Sequence, residues 1–90
     1  VPNAIFWSGE VYRAQTDYKQ AKAAYLKLID QYPNHQKTAD AHYKLGLTYD
    51  LMGDSSNARV VMKKVVDLYP NQSSAKLAAD YLKKKSGKKK

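Results

Sequence analysis

An internal repeat constrains this chain more than any other feature of its sequence. When the sequence is aligned with itself at an offset of 37 residues, ten of the first thirty-four pairs are identical and no gap is needed. Sequences of ordinary composition would give roughly two identities by chance. A further step of 37 still pairs Ala41 with Ala78 and Leu45 with Leu82 before the sequence reaches a run of lysines. The chain therefore holds two full repeats and the first part of a third.

The second half of each repeat has the spacing of an amphipathic helix. Apolar side chains recur at i, i+3, i+4, i+7, i+8 and i+11, which places them on one face of an α-helix. These positions hold Ala21, Ala24, Tyr25, Leu28, Ile29 and Tyr32 in repeat one, and Ala58, Val61, Met62, Val65, Val66 and Tyr69 in repeat two. We call these two segments the second-type helices. Pro33 and Pro70 are expected to end them, because proline lacks an amide hydrogen and restricts the residue before it.

A first-type helix precedes each second-type helix. We predict first-type helices at about Pro2–Gln15 and Ala39–Met52, and a third at about Ser74–Lys84. Thr38 and either Ser73 or Ser74 are the predicted N-caps of the last two, because a hydroxyl accepts a hydrogen bond from the free amides at a helix start. The sequence thus predicts an all-α fold of five helices without strands.

The offsets within the repeats resemble those of the tetratricopeptide-repeat family, whose helix pairs share a small residue, an aromatic, an alanine, a large apolar residue and a proline. The matching residues are Gly9, Tyr12, Ala21, Tyr25 and Pro33, then Gly46, Tyr49, Ala58, Met62 and Pro70. The resemblance implies a right-handed solenoid over residues 2–84, with repeats at about 2–37 and 39–70 and a capping helix at about 74–84. Glycine in mid-helix costs ~1 kcal/mol relative to alanine, so we expect the helices of each repeat to cross closely there, with the alanine opposite.

The same resemblance implies a partner-binding groove along the first-type helices. The groove positions are Asn3, Phe6, Glu10, Arg13, Asp40, Tyr43, Lys44, Leu47 and Asp50. Their mixed charge does not favour a wholly anionic peptide terminus as the ligand. Tyr43 and Leu47 belong to a second apolar stripe, part of which packing between repeats would explain. Phe6 is predicted to be a groove anchor, whereas Trp7 is predicted to pack against a repeat ahead of it.

A closer resemblance rests on four short segments. They are Val1-Pro2-Asn3-Ala4, Ala41-His42-Tyr43-Lys44-Leu45-Gly46, the twice-repeated Tyr-Pro-Asn, and Ala75-Lys76-Leu77-Ala78-Ala79. These segments resemble the C-terminal domains of periplasmic Tol-Pal system proteins, also called cell division coordinators. The resemblance implies a scaffold that links outer-membrane constriction to peptidoglycan synthesis, with a TolA-like component and a peptidoglycan synthase or its regulator as partners. It also implies a secretion signal, a trimerising coiled coil and a further repeat ahead of this chain. The lipoprotein of outer-membrane β-barrel assembly has similar long connectors and stays open as an alternative.

Catalysis, a metal and a cofactor are not expected. The chain has no cysteine, and its two histidines, His35 and His42, lie in different elements without the i, i+4 spacing of a helical metal pair. Acidic residues occur singly rather than as a pair for acid–base chemistry, and no glycine-rich phosphate loop is present. The longest apolar stretches, such as residues 4–7, have four residues and are far shorter than the roughly 20 residues of a membrane span.

The net charge of +8 is concentrated at the C-terminal end of the sequence. Six of the sixteen basic residues lie within residues 83–90, and the rest of the chain has ten basic and eight acidic residues, a net charge of +2. Such a like-charge run is typical of a disordered tail, which we predict at residues 85–90. The run has no aromatic residue or arginine to contact bases, so specific nucleic-acid binding is not expected. Non-specific polyanion binding through these lysines is the alternative function.

Overall fold

The computed structural model describes residues 2–87, which form five α-helices joined by short connectors. The helices are α1 (Pro2–Ala14), α2 (Tyr18–Gln31), α3 (Thr38–Leu51), α4 (Ser55–Leu68) and α5 (Ser73–Gly87). The first-type helices are α1, α3 and α5, and the second-type helices are α2 and α4. Each helix packs against the next one along the chain, and α5 also contacts α3. The predicted all-α solenoid is confirmed.

The two second-type helices begin and end in the same way. A carboxylate oxygen of Asp17 accepts a hydrogen bond from the amide three residues later at 3.4 Å, and Asp54 does the same at 3.2 Å. These bonds cap α2 and α4, because each satisfies an amide that has no partner within the helix. Both helices end two residues before a proline, at Gln31 and Leu68. The repeat is therefore preserved in the local structure as well as in the sequence.

The turn before each of these caps needs a left-handed backbone. The residue that precedes Asp54 is Gly53, with φ of 84°, and its equivalent in repeat one is Thr16, with φ of 61°. Glycine adopts this region without a steric cost, whereas a β-branched residue is strained there. Repeat one therefore contains a strained turn that repeat two avoids.

The N-caps predicted for the later first-type helices are wrong. Thr38 and Ser73 are the first residues of α3 and α5, and Ser74 follows within α5. The hydroxyl of Thr38 donates to the carbonyl oxygen of Tyr32, and that of Ser74 donates to the carboxylate of Asp40. Each hydroxyl reaches another element because it faces inward, so these residues join repeats instead of capping helices.

Two buried clusters form the hydrophobic core. Cluster one consists of Phe6, Ala21, Tyr25, Leu28, Ala41, Leu45 and Val61. Cluster two lies under α5 and consists of Met62, Val65, Ala75 and Ala78. The predicted apolar stripe of α2 supplies side chains to cluster one, and that of α4 supplies Val61 to cluster one and Met62 and Val65 to cluster two, as amphipathic packing requires.

The helices of each repeat cross closely at a glycine. A Cβ atom added to Gly9 would lie 2.6 Å from Cε1 of Tyr25, and one added to Gly46 would lie 2.8 Å from Cε of Met62. Real Cβ atoms do not approach other carbons this closely, so glycine is required if the neighbours stay in place. The nearest side chain is the large apolar one in each repeat, not the alanine four residues earlier that we expected opposite the glycine.

The last helix is longer than predicted. We expected α5 to end near Lys84, with a disordered tail over residues 85–90, but α5 extends to Gly87. Residues 88–90 of the predicted tail lie outside the described residues. Lysine favours the helical state almost as strongly as alanine does, so a run of lysines does not end a helix. Within residues 2–87, no helix combines the length and the apolar character needed to cross a membrane.

Candidate protein-binding site

The three first-type helices lie side by side and form a continuous face. We call it the first-type face and define it by Asn3, Glu10, Arg13, Asp40, Tyr43, Lys44, Leu47, Asp50, Leu77, Asp80, Tyr81 and Lys84. An ion pair between Lys44 Nζ and Glu10 Oε2, 3.6 Å apart, joins α1 to α3. A hydrogen bond of 3.0 Å from the Tyr81 hydroxyl to Asp50 joins α3 to α5. All the predicted groove residues except Phe6 are at least partly exposed on α1 or α3.

One end of the first-type face carries a cluster of three charges. Glu10 lies between two cations, with Arg13 Nη2 at 2.9 Å from Oε1 and Lys44 on the other carboxylate oxygen. The hydrogen bond that Arg13 donates to Glu10 raises the pKa of Arg13, and partial burial opposes that rise. The cluster has a net charge of +1, and the side chains of Arg13, Glu10 and Lys44 are 27%, 16% and 29% exposed. These groups are accessible enough to contact a ligand and ordered enough to orient it.

The other end of the first-type face is aromatic and apolar. Tyr43 lies across an open cavity of about 190 Å³ from Leu77, Asp80, Tyr81 and Lys84 of α5. Leu77 is 48% exposed and gives the cavity an apolar wall. Sequence reasoning missed the four residues of α5. The signal was the same offset of 37, which pairs them with four predicted groove positions of α3.

Comparison with known proteins identifies the repeat. The model of the tetratricopeptide repeat matches residues 3–71, which include both repeats and well over half of the chain. The chain belongs to the tetratricopeptide-repeat family. Tetratricopeptide repeats in general mediate protein–protein interactions and are not enzymes. No curated protein matches the chain.

Burial within this tetratricopeptide domain corrects one predicted groove residue. Phe6 is only 5% exposed and belongs to cluster one, with its ring centroid 6.0 Å from that of Tyr25. Lys37 lies over the ring, with Nζ 5.0 Å from the centroid of the Phe6 ring. The prediction of Phe6 as a groove anchor is therefore wrong, because the ring cannot reach a ligand. Its neighbour Trp7 is 58% exposed.

Four other predicted groove residues also hold α5 in place. Tyr43 and Leu47 are partly buried and pack against cluster two. Asp40 and Asp50 accept the hydrogen bonds from Ser74 and Tyr81 that connect α3 to α5. Part of the second apolar stripe is therefore used between repeats.

The polar side chains of the first-type face can donate and accept hydrogen bonds, as in a binding surface, and the histidine of α3 is not among them. Among residues 2–84, no group of three or more histidine and acidic side chains is arranged to hold a metal ion. His42 is 8% exposed and packs against Tyr69, with ring centroids 5.4 Å apart. Burial lowers the pKa of His42, and the nearby charge of Lys64 lowers it further. His42 therefore belongs to the core between α3 and α4 and not to the first-type face.

Proposed function

We propose that this chain is a scaffold that binds a segment of a partner protein along the first-type face. The observation that carries the proposal is the open cavity walled by Tyr43, Leu77 and Tyr81 beside side chains of both charge signs. Stacked helix pairs place their first helices along one face of the solenoid, where an extended or helical segment can contact several repeats at once. Partly exposed aromatic and apolar side chains of this kind supply much of the energy in protein interfaces.

The charges on the first-type face indicate which kind of partner segment would fit. The cluster around Glu10 has one more cation than anion, whereas Asp80 and Lys84 place one charge of each sign beside the cavity. A segment with an apolar or aromatic anchor and charges of both signs would satisfy this pattern. Electrostatic complementarity of this kind favours one partner over others more than it raises affinity. No catalytic role is proposed.

The wider setting that we propose is the Tol-Pal system in the periplasm. Its support is the resemblance of the four short segments, among them the twice-repeated Tyr-Pro-Asn, to the C-terminal domains of that family. In this setting the partner is a TolA-like component or a peptidoglycan synthase or its regulator, and the scaffold coordinates envelope constriction with wall synthesis during division. Trimerisation through a coiled coil ahead of this chain belongs to the same proposal.

A binding titration with TolA tests both parts of this proposal. Two variants alter the face without removing core contacts: Leu77→Arg places a cation at the cavity, and Lys44→Glu reverses a charge beside Glu10. Val60→Arg is the matched control, because Val60 is 53% exposed on α4, away from the first-type face. Tyr43 and Leu47 are unsuitable for this test, since both pack against cluster two.

We expect both face variants to weaken binding at least about tenfold, the loss that accompanies about 1.4 kcal/mol, while the control binds like the parent. Circular dichroism establishes that each variant is folded. Unchanged binding by both face variants would show that the first-type face is not the site. Absence of binding by the parent chain would instead remove the Tol-Pal setting and leave the face to be tested with other segments.

A further inference from the structure

A cavity of about 250 Å³ opens between α2 and α4, above residues of α3. Its base consists of the buried side chains of Leu45 and His42 from α3 and Val61 from α4. Leu26 of α2 and Val60 of α4 stand at its rim and are 42% and 53% exposed. We call it the second-type cavity, because second-type helices form both of its walls. It has no residue in common with the first-type face.

The second-type cavity has a counterpart in repeat one that is lined by smaller side chains. The offset of 37 carries the seven residues around a depression between α1 and α2 onto the seven residues that α3 and α4 contribute to the cavity. Leu26 and Ile29 of α2 add a second wall in repeat two, whereas α1 and α2 alone line the depression. Three positions differ in size, with Ser8, Ala23 and Ala24 in repeat one where repeat two has Leu45, Val60 and Val61. The apolar recess is therefore a feature of repeat two, and repeat one offers a matched reference surface.

The helices that form the walls carry an excess of positive charge. Each has three basic residues and one aspartate, so α2 and α4 together have a net charge of +4. The capping carboxylates of Asp17 and Asp54 lie at the starts of these helices and accept hydrogen bonds there. The first-type face has three basic and four acidic side chains, so the two surfaces differ in the sign of their charge. The charged residues within the walls are Lys19, Lys22, Lys27 and Asp30 of α2, and Arg59, Lys63, Lys64 and Asp67 of α4.

Two of these lysines lie beside the second-type cavity. Lys64 is one of its lining residues, and none of the described residues that line it is acidic. Lys22 places Nζ 5.7 Å from the centroid of the Tyr49 ring, which also lines the cavity. Burial lowers the pKa of His42, and the charge of Lys64 lowers it further, so the base of the cavity is uncharged at neutral pH. The cavity thus combines an uncharged, largely apolar base with cations at its edge.

We propose that the second-type cavity is a docking site for an acidic segment of a partner protein, which inserts one phenylalanine or leucine side chain between α2 and α4. The cavity is smaller than the roughly 300–1,000 Å³ of sites that hold small molecules or cofactors, and its size suits a single side chain. Buried anchor side chains of this kind supply much of the binding energy in protein interfaces. The positive charge of the walls favours acidic residues beside the anchor and disfavours basic segments. This site is additional to the first-type face and does not depend on the function proposed for that face.

Other partners match this surface less well. An anionic bilayer would attract the lysines of α2 and α4, but its flat surface cannot fill a recess between two helices. Single-stranded nucleic acid stacks its bases on accessible aromatic rings, whereas the Tyr49 ring is partly buried and has Lys22 over it. A second copy of the chain, joined through the same surface, would bring like charges together. An acidic protein segment meets both the apolar recess and the positive charge.

The test is a titration of the full chain against a fluorescein-labelled peptide with one phenylalanine among glutamates, measured by fluorescence anisotropy. Val60→Asp places a carboxylate at the rim of the cavity, and Lys64→Glu reverses a charge there. Ala23→Asp and Lys27→Glu are the matched controls, because they make the same changes at the equivalent exposed positions of repeat one. Each control changes the net charge as much as its counterpart does, so a general attraction of the peptide to lysines is weakened equally. Circular dichroism establishes that each variant is folded.

We expect Val60→Asp and Lys64→Glu to weaken binding at least about tenfold relative to their controls. A peptide with alanine in place of the phenylalanine should bind the parent chain at least about tenfold more weakly. Leu77→Arg should leave binding unchanged, which keeps this test separate from that of the first-type face.

Three results would overturn the proposal. If each control lost as much affinity as its counterpart, net charge alone would explain the binding. Equal binding of the alanine peptide, or no binding of the phenylalanine peptide, would show that the cavity takes no anchor. Binding of phosphatidylglycerol vesicles or of a mixed oligonucleotide that Lys64→Glu abolishes and the peptide does not displace would assign the surface to a membrane or a nucleic acid instead.

Discussion

The two glycines at the helix crossings allow a matched test of packing. Alanine at Gly9 would place its Cβ 2.6, 2.8 and 2.9 Å from three ring atoms of Tyr25, whose side chain is fully buried. For alanine at Gly46, the three nearest atoms would all belong to Met62, with the terminal methyl at 2.8 Å, the sulfur at 3.1 Å and Cγ at 3.2 Å. The clash in repeat one is therefore with a rigid ring, and the clash in repeat two is with the flexible end of a chain.

The expected changes in stability follow from two opposing effects. Replacing glycine by alanine in mid-helix gains about 1 kcal/mol in helix propensity. Overpacking a rigid core costs about 1–3 kcal/mol, but a methionine can change rotamer and give way at a smaller cost. The cost at Gly9 lies at the upper end of this range, about 2–3 kcal/mol, because three atoms of a buried ring are closer than 3.0 Å. We therefore expect Gly9→Ala to lower the free energy of unfolding by about 1–2 kcal/mol, and Gly46→Ala to leave it within about 0.5 kcal/mol of the parent.

Thermal and urea unfolding of the two variants measure this difference. For a domain of this size, Gly9→Ala should lower Tm by about 5–10 °C. The decisive control is the same substitution in a Tyr25→Met background, which gives repeat one the side chain of repeat two and should abolish most of the loss. Equal stability of the two alanine variants, or a larger loss for Gly46→Ala, would refute the argument from ring rigidity.

Three further predictions concern the turns, the core histidine and the contact between α3 and α5. Thr16→Gly should raise the free energy of unfolding by about 0.5–1 kcal/mol, because it relieves the positive φ, and Gly53→Thr should lower it by a similar amount; urea unfolding checks both. Burial favours the neutral form of His42, so its contribution to the free energy of unfolding should be fully present above its ordinary pKa of 6.5 and should decline as the pH falls below that value. His42→Phe should flatten the measured dependence of stability on pH. Burial and the hydrogen bond to Asp50 raise the pKa of Tyr81 to about 12. The stabilisation that Tyr81 provides should therefore be fully present below pH 10 and be lost only as the pH rises further. Tyr81→Phe should lower the free energy of unfolding by about 0.5–1 kcal/mol at neutral pH, and no loss there would contradict a stabilising hydrogen bond.

The second-type helices could be predicted because two local features of the sequence indicate each of them. The stripe in each second-type helix and the prolines after it act within a few residues, so their consequences do not depend on the rest of the fold. The caps were harder to assign. Thr38 and Ser74 look like N-caps in the sequence, but each finds a partly buried acceptor in another element, whereas Asp17 and Asp54 cap helices without such competition. Only the tertiary structure shows which acceptor is closer.

The groove was predicted less completely than the fold. Phe6 and Trp7 are adjacent on α1, and a rotation of about 100° separates them. Which of them faces the core depends on where α2 and α3 lie, and that information is not contained in the pattern of α1. Leu77 and Tyr81 were not predicted for a different reason: the lysines that follow obscure the repeat in α5, so its exposed positions do not stand out as equivalents of the groove positions of α3.

The glycines at the helix crossings also make α1 and α3 different from α5. The offset of 37 carries Gly46 to Lys83 of α5. A further second-type helix laid across α5 would meet the stem of a lysine where α2 and α4 meet bare backbone, so it could not approach as closely. The close crossing that Gly9 and Gly46 permit is therefore a property of α1 and α3 that α5 does not share.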